Sequence, residues 1–382
     1  MIRNISNEIN FTAESFALLQ HLCTGKTYAD LKESLNKKYA HPFQEQDGLK
    51  KFEQLELIEA YAQTIFAQDM EEIQYYFTPY QEEGTGCAAK AALLWDEYKL
   101  SYQTSLPALR NSLSDLPETT YCRRFGECLQ EISCNTLQDD SHLVKTETPI
   151  DVISCLMDLD LDESEKWKLQ KIFFSPKEHQ EKLLLLLTRA SGCLEKFQKP
   201  LEELAEAFQA YWTKTLEGRS PITYLPSIKI EENPAGFCLS PSILKPNTAA
   251  FYIHEPDDGT SKNPDAFRFG ILFGEDFALR TARASEEDGY AAYAIQALKL
   301  LGDKSKFEIL SYLRDKEAYG SELAKRLKLT TATISHHMNT LLEAGLIEVK
   351  RIENRLYYSA NKDTLGEILD YSKRILLGED GS

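Results

Sequence analysis

Apolar side chains recur at helical spacing through most of the first 220 residues. Intervals 16–22, 29–38 and 49–68 each place hydrophobic residues three or four positions apart, and 88–215 continues the pattern with interruptions at prolines. The all-leucine run at 183–187 predicts a helix that is buried on every side. No interval repeats at a fixed period, which argues against a solenoid.

The pattern changes after Pro221. Between about 222 and 275, short runs of β-branched and aromatic residues alternate with Asn-Pro, Lys-Pro-Asn and Asp-Asp-Gly turns. This alternation predicts a small antiparallel sheet. An amphipathic helix follows at 278–301, and a second striped helix includes Leu365, Ile368 and Ile375 near the carboxyl end.

The segment 330–345 predicts a helix with two different faces. Ile334, Met338, Leu341 and Leu342 form one apolar stripe, and Gly345 stands where such a helix ends. The opposite face carries short hydrogen-bonding side chains that suit base edges and phosphates, with Thr330 as the cap: Thr330, Thr331, Thr333, Ser335, His336 and Asn339. We expect His336 to contact DNA and His337 to be partly buried against the hairpin that follows.

A β-hairpin is predicted directly after this helix. Ile347, Val349 and Ile352 suggest one strand, Glu353-Asn354 a turn, and 356–358 the returning strand. The polar residues around the tip are expected to contact the DNA backbone or the minor groove: Lys350, Arg351, Asn354 and Arg355.

Two shorter helices are predicted before the two-faced helix. Residues 305–314 are amphipathic through Phe307, Ile309, Leu310 and Leu313, and 320–327 forms the next helix. The tight turn at 328–330 then completes a helix-turn-helix, and the hairpin adds a wing.

The order of these residues resembles the ArsR/SmtB family. ALKLLGDKSKFEILSYL is followed by SELAKRLKLTTATISHHMNTLLEAGLIEVKRIENRLYYSA, over about the last 90 residues. The resemblance implies a winged helix-turn-helix that binds double-stranded DNA, usually as a repressor, and a homodimer held by the two flanking helices. It implies a DNA-binding role for His337 beside the residues named above.

The chain therefore divides into three parts. A mostly helical sensor or regulatory region is expected at 1–220, an antiparallel sheet subdomain at 221–280, and a winged-helix DNA-binding and dimerisation domain at 281–382. The predicted fold class is mainly α with small β. The first 290 residues are far more than DNA binding needs, so we expect a small-molecule effector or a partner to act on them.

The net charge of −17 is unevenly distributed. Residues 291–382 carry 14 Lys and Arg against 13 Asp and Glu, a net charge of +1, and residues 1–290 carry 29 against 47, a net charge of −18. The acidic part is expected to stay off DNA. The DNA-binding part then depends on a few placed contacts and not on a broad basic field.

The cysteine pattern gives no metal site. ArsR-type proteins often sense metal through cysteines in the helix before the recognition helix, but 322–327 contains none. Cys122, Cys128 and Cys134 are six residues apart, so they would not share a helix face. Arg123 and Arg124 suggest a lowered pKa for Cys122, so a redox-sensing role for this thiol remains an alternative.

No signal pattern or long apolar run is present, so the protein is expected to be cytoplasmic, with no membrane partner. No catalytic motif, cofactor loop or metal-ligand spacing stands out, which predicts no enzyme, no catalytic residues and no cofactor. The aromatic residues Trp95, Tyr98, Trp167 and Trp212 suit a core better than a ligand pocket. Two alternatives stay open: a winged helix that binds protein, and an enzyme fused to a regulatory domain.

Overall fold

The computed structural model describes most of the chain. It comprises residues 2–38, 46–80, 89–95, 105–106, 109, 116–133, 146–221, 235–252, 264–273, 287–327, 334, 337–338, 340–342, 344–352 and 355–377. Helices dominate these residues, and two small sheets accompany them. The predicted class, mainly α with small β, is confirmed.

Ten helices are described between residues 11 and 216. They are α1 (Phe11–Cys23), α2 (Tyr28–Lys38), α3 (Gln46–Ile65), α4 (Met70–Phe77), α5 (Lys90–Leu94), α6 (Glu118–Ser133), α7 (Pro149–Met157), α8 (Glu163–Phe174), α9 (Pro176–Glu195) and α10 (Gln198–Leu216). The helices predicted at 16–22, 29–38 and 49–68 correspond to α1, α2 and α3.

Side-chain caps fix where several of these helices begin. The Asn10 side chain accepts a hydrogen bond from the Ala13 N–H at 3.0 Å, which satisfies one free amide of α1. Thr148 and Asp151 form a reciprocal capping box at the start of α7, with Pro149 in the first turn. These side-chain caps explain why α1 and α7 begin at the residues where they do.

The leucine run at 183–187 lies in α9 and is buried on most of its circumference. Leu183, Leu184, Leu186 and Leu187 belong to the main core, but Leu185 is 63% exposed. The prediction of burial on every side was therefore wrong at one position, because α9 packs against the core with one side open. Trp95 and Trp212 are core residues, as expected, and Trp167 is exposed. Tyr98 lies outside the described residues.

The larger sheet is mixed. Its strands are β1 (Ile2–Ile5), β2 (Gly236–Ser242), β3 (Ala249–Tyr252) and β4 (Asp265–Gly270), in the order β1-β2-β4-β3. Within the predicted sheet, the antiparallel pairing is correct for β3 and β4 and wrong for β2 and β4, which are parallel. The strand β1, which also pairs parallel with β2, lies outside the interval in which strands were predicted. The amino-terminal strand thus joins a segment more than 230 residues away, across the boundary predicted at 220; the three-part division stays a prediction.

A buried carboxylate connects the sheet to the helices. Glu14 of α1 is 1% exposed and accepts the backbone N–H groups of Ile243 and Leu244 at 3.1 and 2.8 Å. Arg268 of β4 forms an ion pair with it at 2.8 Å. The charge is therefore compensated inside the protein, as burial requires. On the other side, α10 packs Phe208 and the indole of Trp212 against the sheet.

The carboxyl-terminal part forms its own buried cluster. It contains α11 (Glu287–Leu301), α12 (Lys304–Leu313), α13 (Gly320–Leu327), the strands β5 (Ile347–Ile352) and β6 (Arg355–Ala360), and α14 (Lys362–Leu377). Phe307 departs from its prediction, because it is 57% exposed while Ile309, Leu310 and Leu313 are buried. Among the described residues, no helix combines the length and the apolar character needed to cross a bilayer.

Candidate nucleic-acid interface

The segment between α13 and β5 is held from one side. Ile334, Met338 and Leu341 are at most 2% exposed and belong to the carboxyl-terminal core, while Leu342 is half-buried. The described residues of this segment, 334, 337–338 and 340–342, are helical. The predicted apolar stripe is confirmed. We call residues 330–345 the recognition segment.

The recognition segment ends at Gly345. This glycine has a φ of 68°, and the next residue, Leu346, donates its N–H to the Leu341 carbonyl at 2.9 Å. A side chain in that left-handed conformation would be strained, so glycine suits the position. The Tyr293 hydroxyl of α11 donates to the Ala344 carbonyl at 2.8 Å. The helix that leads into the winged helix is thereby attached to the end of the recognition segment.

His337 lies near the start of α12. Asp303 caps this helix, accepting the Lys306 N–H at 2.9 Å, and this hydrogen bond lowers the pKa of the Asp303 carboxyl. The nearby side chains of Lys306 and His337 lower the pKa of Asp303 further. His337 is half-buried. His337 thus acts electrostatically on the cap of α12, and its expected burial against the wing stays a prediction.

The wing is a two-stranded antiparallel hairpin. Ile352 of β5 pairs with Arg355 of β6, on either side of residues 353–354, where the turn is predicted and which lie outside the described residues. Ala318 and Tyr358 exchange two backbone hydrogen bonds of 3.0 and 2.8 Å, which add a bridge beside β6. The wing is therefore anchored to the loop between α12 and α13.

The predicted DNA-contacting residues are described to different extents. The side chain of Lys350 is exposed, and that of His337 is half-buried. Arg351 and Arg355 lie in β5 and β6 at the predicted positions on either side of the tip, and only their backbones are described. The others lie outside the described residues: Thr330, Thr331, Thr333, Ser335, His336, Asn339 and Asn354. The roles of all eleven stay predictions.

Two exposed cations were missed by the sequence reasoning. Lys325 and Arg326 occupy the last turn of α13, immediately before the turn that leads to the recognition segment. Backbone phosphates are commonly contacted from such positions. Their signal was available, because two adjacent basic residues follow Leu323 and Ala324, which are both buried.

Apolar side chains project from the two flanking helices. Ile295 of α11 and three residues of α14, Leu369, Ile375 and Leu376, are each more than half exposed. In the predicted stripe of α14, Ile368 is buried and Leu365 packs half-buried against the carboxyl-terminal core, while Leu369, Ile375 and Leu376 face outward. An apolar face of this kind on a small domain suits burial against another protein.

The pKa values of the described cysteines do not favour a thiolate sensor, since burial raises those of Cys23, Cys122, Cys193 and Cys238; Cys134 lies outside the described residues. Cys122 is buried, and burial together with Glu118 and Asp151 raises its pKa. The prediction of a lowered pKa was wrong, because the arginines next to it in sequence do not stabilise its thiolate. Burial raises the pKa of Cys23 to about 12. Within the described residues, no three His, Cys, Asp or Glu side chains are grouped so that they could hold a metal ion.

Comparison with known proteins gives the same assignment for this region. Residues 303–349 match the family described as bacterial regulatory protein, arsR family. The arsenical resistance operon repressor of Staphylococcus aureus is 32% identical over 72 residues, which are 19% of this chain and 69% of the repressor. The chain belongs to the ArsR family. As a member of that family, it is a DNA-binding transcriptional regulator.

Other relatives of this ArsR-family chain match the same region. The transcriptional activator HlyU of Vibrio cholerae is 24% identical over 90 residues, covering 24% of this chain and 83% of HlyU. A solved ArsR-like transcriptional regulator from Rhodococcus is 29% identical and covers 23% of this chain and 82% of its own, with a TM-score of 0.22. Over so small a share of the chain, that superposition carries no structural argument.

Proposed function

We propose that this ArsR-family regulator represses transcription as a homodimer whose DNA binding is controlled by its amino-terminal region. The observation that carries the proposal is the burial of Ile334, Met338 and Leu341 along one side of the recognition segment. By helical periodicity, the polar positions between them are then available to DNA. Thr331, Thr333, Ser335 and His336 read the major groove in this proposal, and Lys350, Arg351, Asn354 and Arg355 hold the backbone or the minor groove.

The homodimer is supported by the apolar side chains of α11 and α14. Ile295, Leu369, Ile375 and Leu376 are exposed in the single chain, and pairing two such faces removes them from water. A two-fold dimer sets two recognition segments about 34 Å apart, which fits adjacent major grooves on one side of a pseudo-palindromic site.

Control by the amino-terminal region is supported by its size and by the attachment of α11. The hydrogen bond from Tyr293 to the Ala344 carbonyl joins α11 to the end of the recognition segment. A displacement of α11 therefore changes the position of that segment. Coupling between effector and DNA sites is typically about 1–3 kcal/mol.

A gel-shift assay on the DNA upstream of the protein's own gene tests the proposal. We expect a retarded band at low salt, competed by unlabelled specific DNA and not by random DNA. Retention of the dimer without any retarded band would overturn the DNA-binding role of this winged helix and favour a protein-binding role instead.

The direction of regulation needs a separate measurement, because the relatives include a repressor and an activator by name. We expect a reporter gene behind the bound site to fall in expression when the protein is present. An increase would overturn the repressor assignment and leave DNA binding intact.

A further inference from the structure

An open cavity of about 770 Å3 lies on the helical region, away from the winged helix. It is formed between α4 with the residues just before it, the end of α8 and the first turns of α9. Its lining is polar and aromatic: Gln68, Asp69, Glu71, Glu72, Tyr75, Tyr76, Lys171, Ser175, Glu178, His179 and Lys182. A volume of this size is typical of small-molecule sites.

Three ring side chains, Tyr75, Tyr76 and His179, contact one another and form what we call the floor of the cavity. The buried Tyr76 hydroxyl and the Nδ1 atom of His179 lie 2.8 Å apart and form a hydrogen bond. The ring of Tyr75 stacks on His179, with ring centroids 5.9 Å apart and an angle of 5°. Burial lowers the pKa of His179 and raises the pKa of both tyrosines, so the floor is uncharged at neutral pH.

A buried ion pair lies against the Tyr75 ring of the floor. The Lys90 ammonium forms an ion pair with Glu165 at 2.6 Å and lies 5.6 Å from the centre of the Tyr75 ring. Burial lowers the pKa of Lys90, and Glu165 opposes that shift. The Tyr75 side chain is thus held between α5, α8 and α9, and the site is organised before any ligand arrives.

The rim carries more negative than positive charge. Arg189 binds Asp69, with one N–O distance of 2.8 Å, and Lys182 binds Glu178 at 2.8 Å. Lys171 lies over the ring of the exposed Trp167, 5.3 Å from its centre.

Glu71 and Glu72 supply the excess. Among the described residues, neither carboxylate forms an ion pair within 4.0 Å. The charge of Glu72 raises the pKa of Lys182 and of Arg189, but each of these cations has its own carboxylate partner. An added positive charge at this rim therefore gains attraction from two carboxylates, and an added negative charge meets repulsion.

We propose that this cavity binds a small organic amine, with its ammonium or guanidinium group at Glu71 and Glu72 and its carbon part on the Tyr75 ring. Aromatic faces and carboxylates together are a recurrent way of binding organic cations. That the amine acts as an effector rests on the function proposed above. The helices that line the cavity, α4 and α9, both pack on α1, whose Glu14 holds the sheet.

The test uses the full-length protein and ligands of matched shape. Putrescine, agmatine and choline are the amine probes, and 1,4-butanediol and succinate are the neutral and anionic counterparts of putrescine. We expect calorimetric binding and a raised melting temperature with at least one amine, and neither effect with the other two compounds. Binding of none of the amines, or equal binding of butanediol or succinate, would overturn the proposal.

Paired variants locate the site. Glu71→Gln with Glu72→Gln should weaken amine binding about tenfold, because two partly exposed charge contacts are lost. Glu202→Gln with Glu203→Gln is the matched control, since these adjacent glutamates of α10 are also exposed and lie outside the cavity. Tyr75→Leu should weaken binding and Tyr75→Phe should preserve it. Unchanged affinity in the Glu71 and Glu72 variant would place the amine elsewhere.

The effector role is measured separately, by fluorescence anisotropy of labelled upstream DNA with and without the bound amine. The Glu71 and Glu72 variant controls for amine that binds DNA directly. A change of DNA affinity in the wild type that is lost in the variant supports the effector role, and no change overturns it. If the protein fails to bind DNA at all, the proposed function is wrong. The calorimetric measurement of amine binding still tests whether the cavity is an amine site.

Discussion

Residues 291–382 have a net charge of +1, whereas residues 1–290 have a net charge of −18. Their buried cores are also distinct. The winged helix has one cluster drawn from residues 294–368, and the helical region has another that reaches the sheet through Ile243, Leu244, Ile271 and Leu272. Like charge repels DNA from the larger part, so we expect the smaller part to be the one that approaches the duplex. The difference shows how one acidic chain can still bind nucleic acid.

The largest expected effect tests whether the two cores are independent. Leu341 and Leu187 are each fully buried, one in each core. Leu341→Ala should cost about 2–5 kcal/mol in the stability of the winged helix, and Leu187→Ala the same amount in the helical region.

Calorimetry of the two variants measures this. Each variant should lower one melting transition and leave the other in place, because neither cluster contains residues of the other. A single transition that both variants shift equally would contradict the distinction between the cores.

A smaller effect is expected from the polar side of the recognition segment. Ser335→Ala combined with His336→Ala should weaken specific DNA binding about 100-fold and spare folding, because each base contact is typically about 1–3 kcal/mol. Anisotropy with the cognate site measures the loss. Ser311→Ala, at an exposed position of α12, serves as the control. Full affinity in the double variant would show that Ser335 and His336 of the recognition segment do not contact the bases.

The wing should contribute charge without sequence information. Lys350 is exposed on β5 beside the tip. Lys350→Ala should reduce the slope of log affinity against log salt by about 0.9 and weaken specific and random DNA alike. Lys299→Ala, an exposed lysine of α11, should leave the slope as it is. Because the winged helix is nearly neutral, we expect the wild-type slope itself to be modest.

The smallest effect concerns pH and only the helical region. Burial lowers the pKa of His179 below its usual 6.5, and Lys182 and Lys171 act in the same direction while Glu178 opposes them. The unfolded chain therefore binds the proton more readily. The stabilisation is complete above pH 6.5 and is lost as pH falls through the lowered pKa of the folded state.

Urea denaturation between pH 5 and 7 should show this loss, and His179→Gln should reduce it while it keeps a hydrogen-bonding group near Tyr76. An identical pH profile in wild type and variant would exclude His179 as the cause. A pH-dependent change confined to the winged-helix transition would point to that domain instead.

Local patterns predicted the winged helix well. The stripe of Ile334, Met338 and Leu341, the stop at Gly345 and the antiparallel pairing of β5 with β6 all follow from short-range periodicity and turn chemistry. Phe307 and Leu185 were wrongly expected to be buried. Helical spacing identifies which face of a helix is apolar, but it does not determine how far around the helix the burial extends.

Long-range features could not be derived in the same way. The pairing of β1 with β2 joins segments more than 230 residues apart. The sequence of residues 2–5 carries no pattern that identifies the strand with which it pairs. The pKa of Cys122 depends on burial and on Asp151 from α7, which neighbours in sequence do not reveal. The aromatic floor at Tyr75, Tyr76 and His179 also joins two distant helices, so the cavity had no sequence signature.

The position of β1 has a consequence for anyone who divides this protein into fragments. A chain that stops at residue 220 carries strand Ile2–Ile5 without Gly236–Ser242, the strand it pairs with, and leaves Glu14 buried without Arg268. During synthesis, the amino-terminal region must likewise wait for residues beyond 268 to leave the ribosome before it can close. Fragments meant to fold alone should therefore extend past Phe273, and an amino-terminal tag sits beside a strand that forms late.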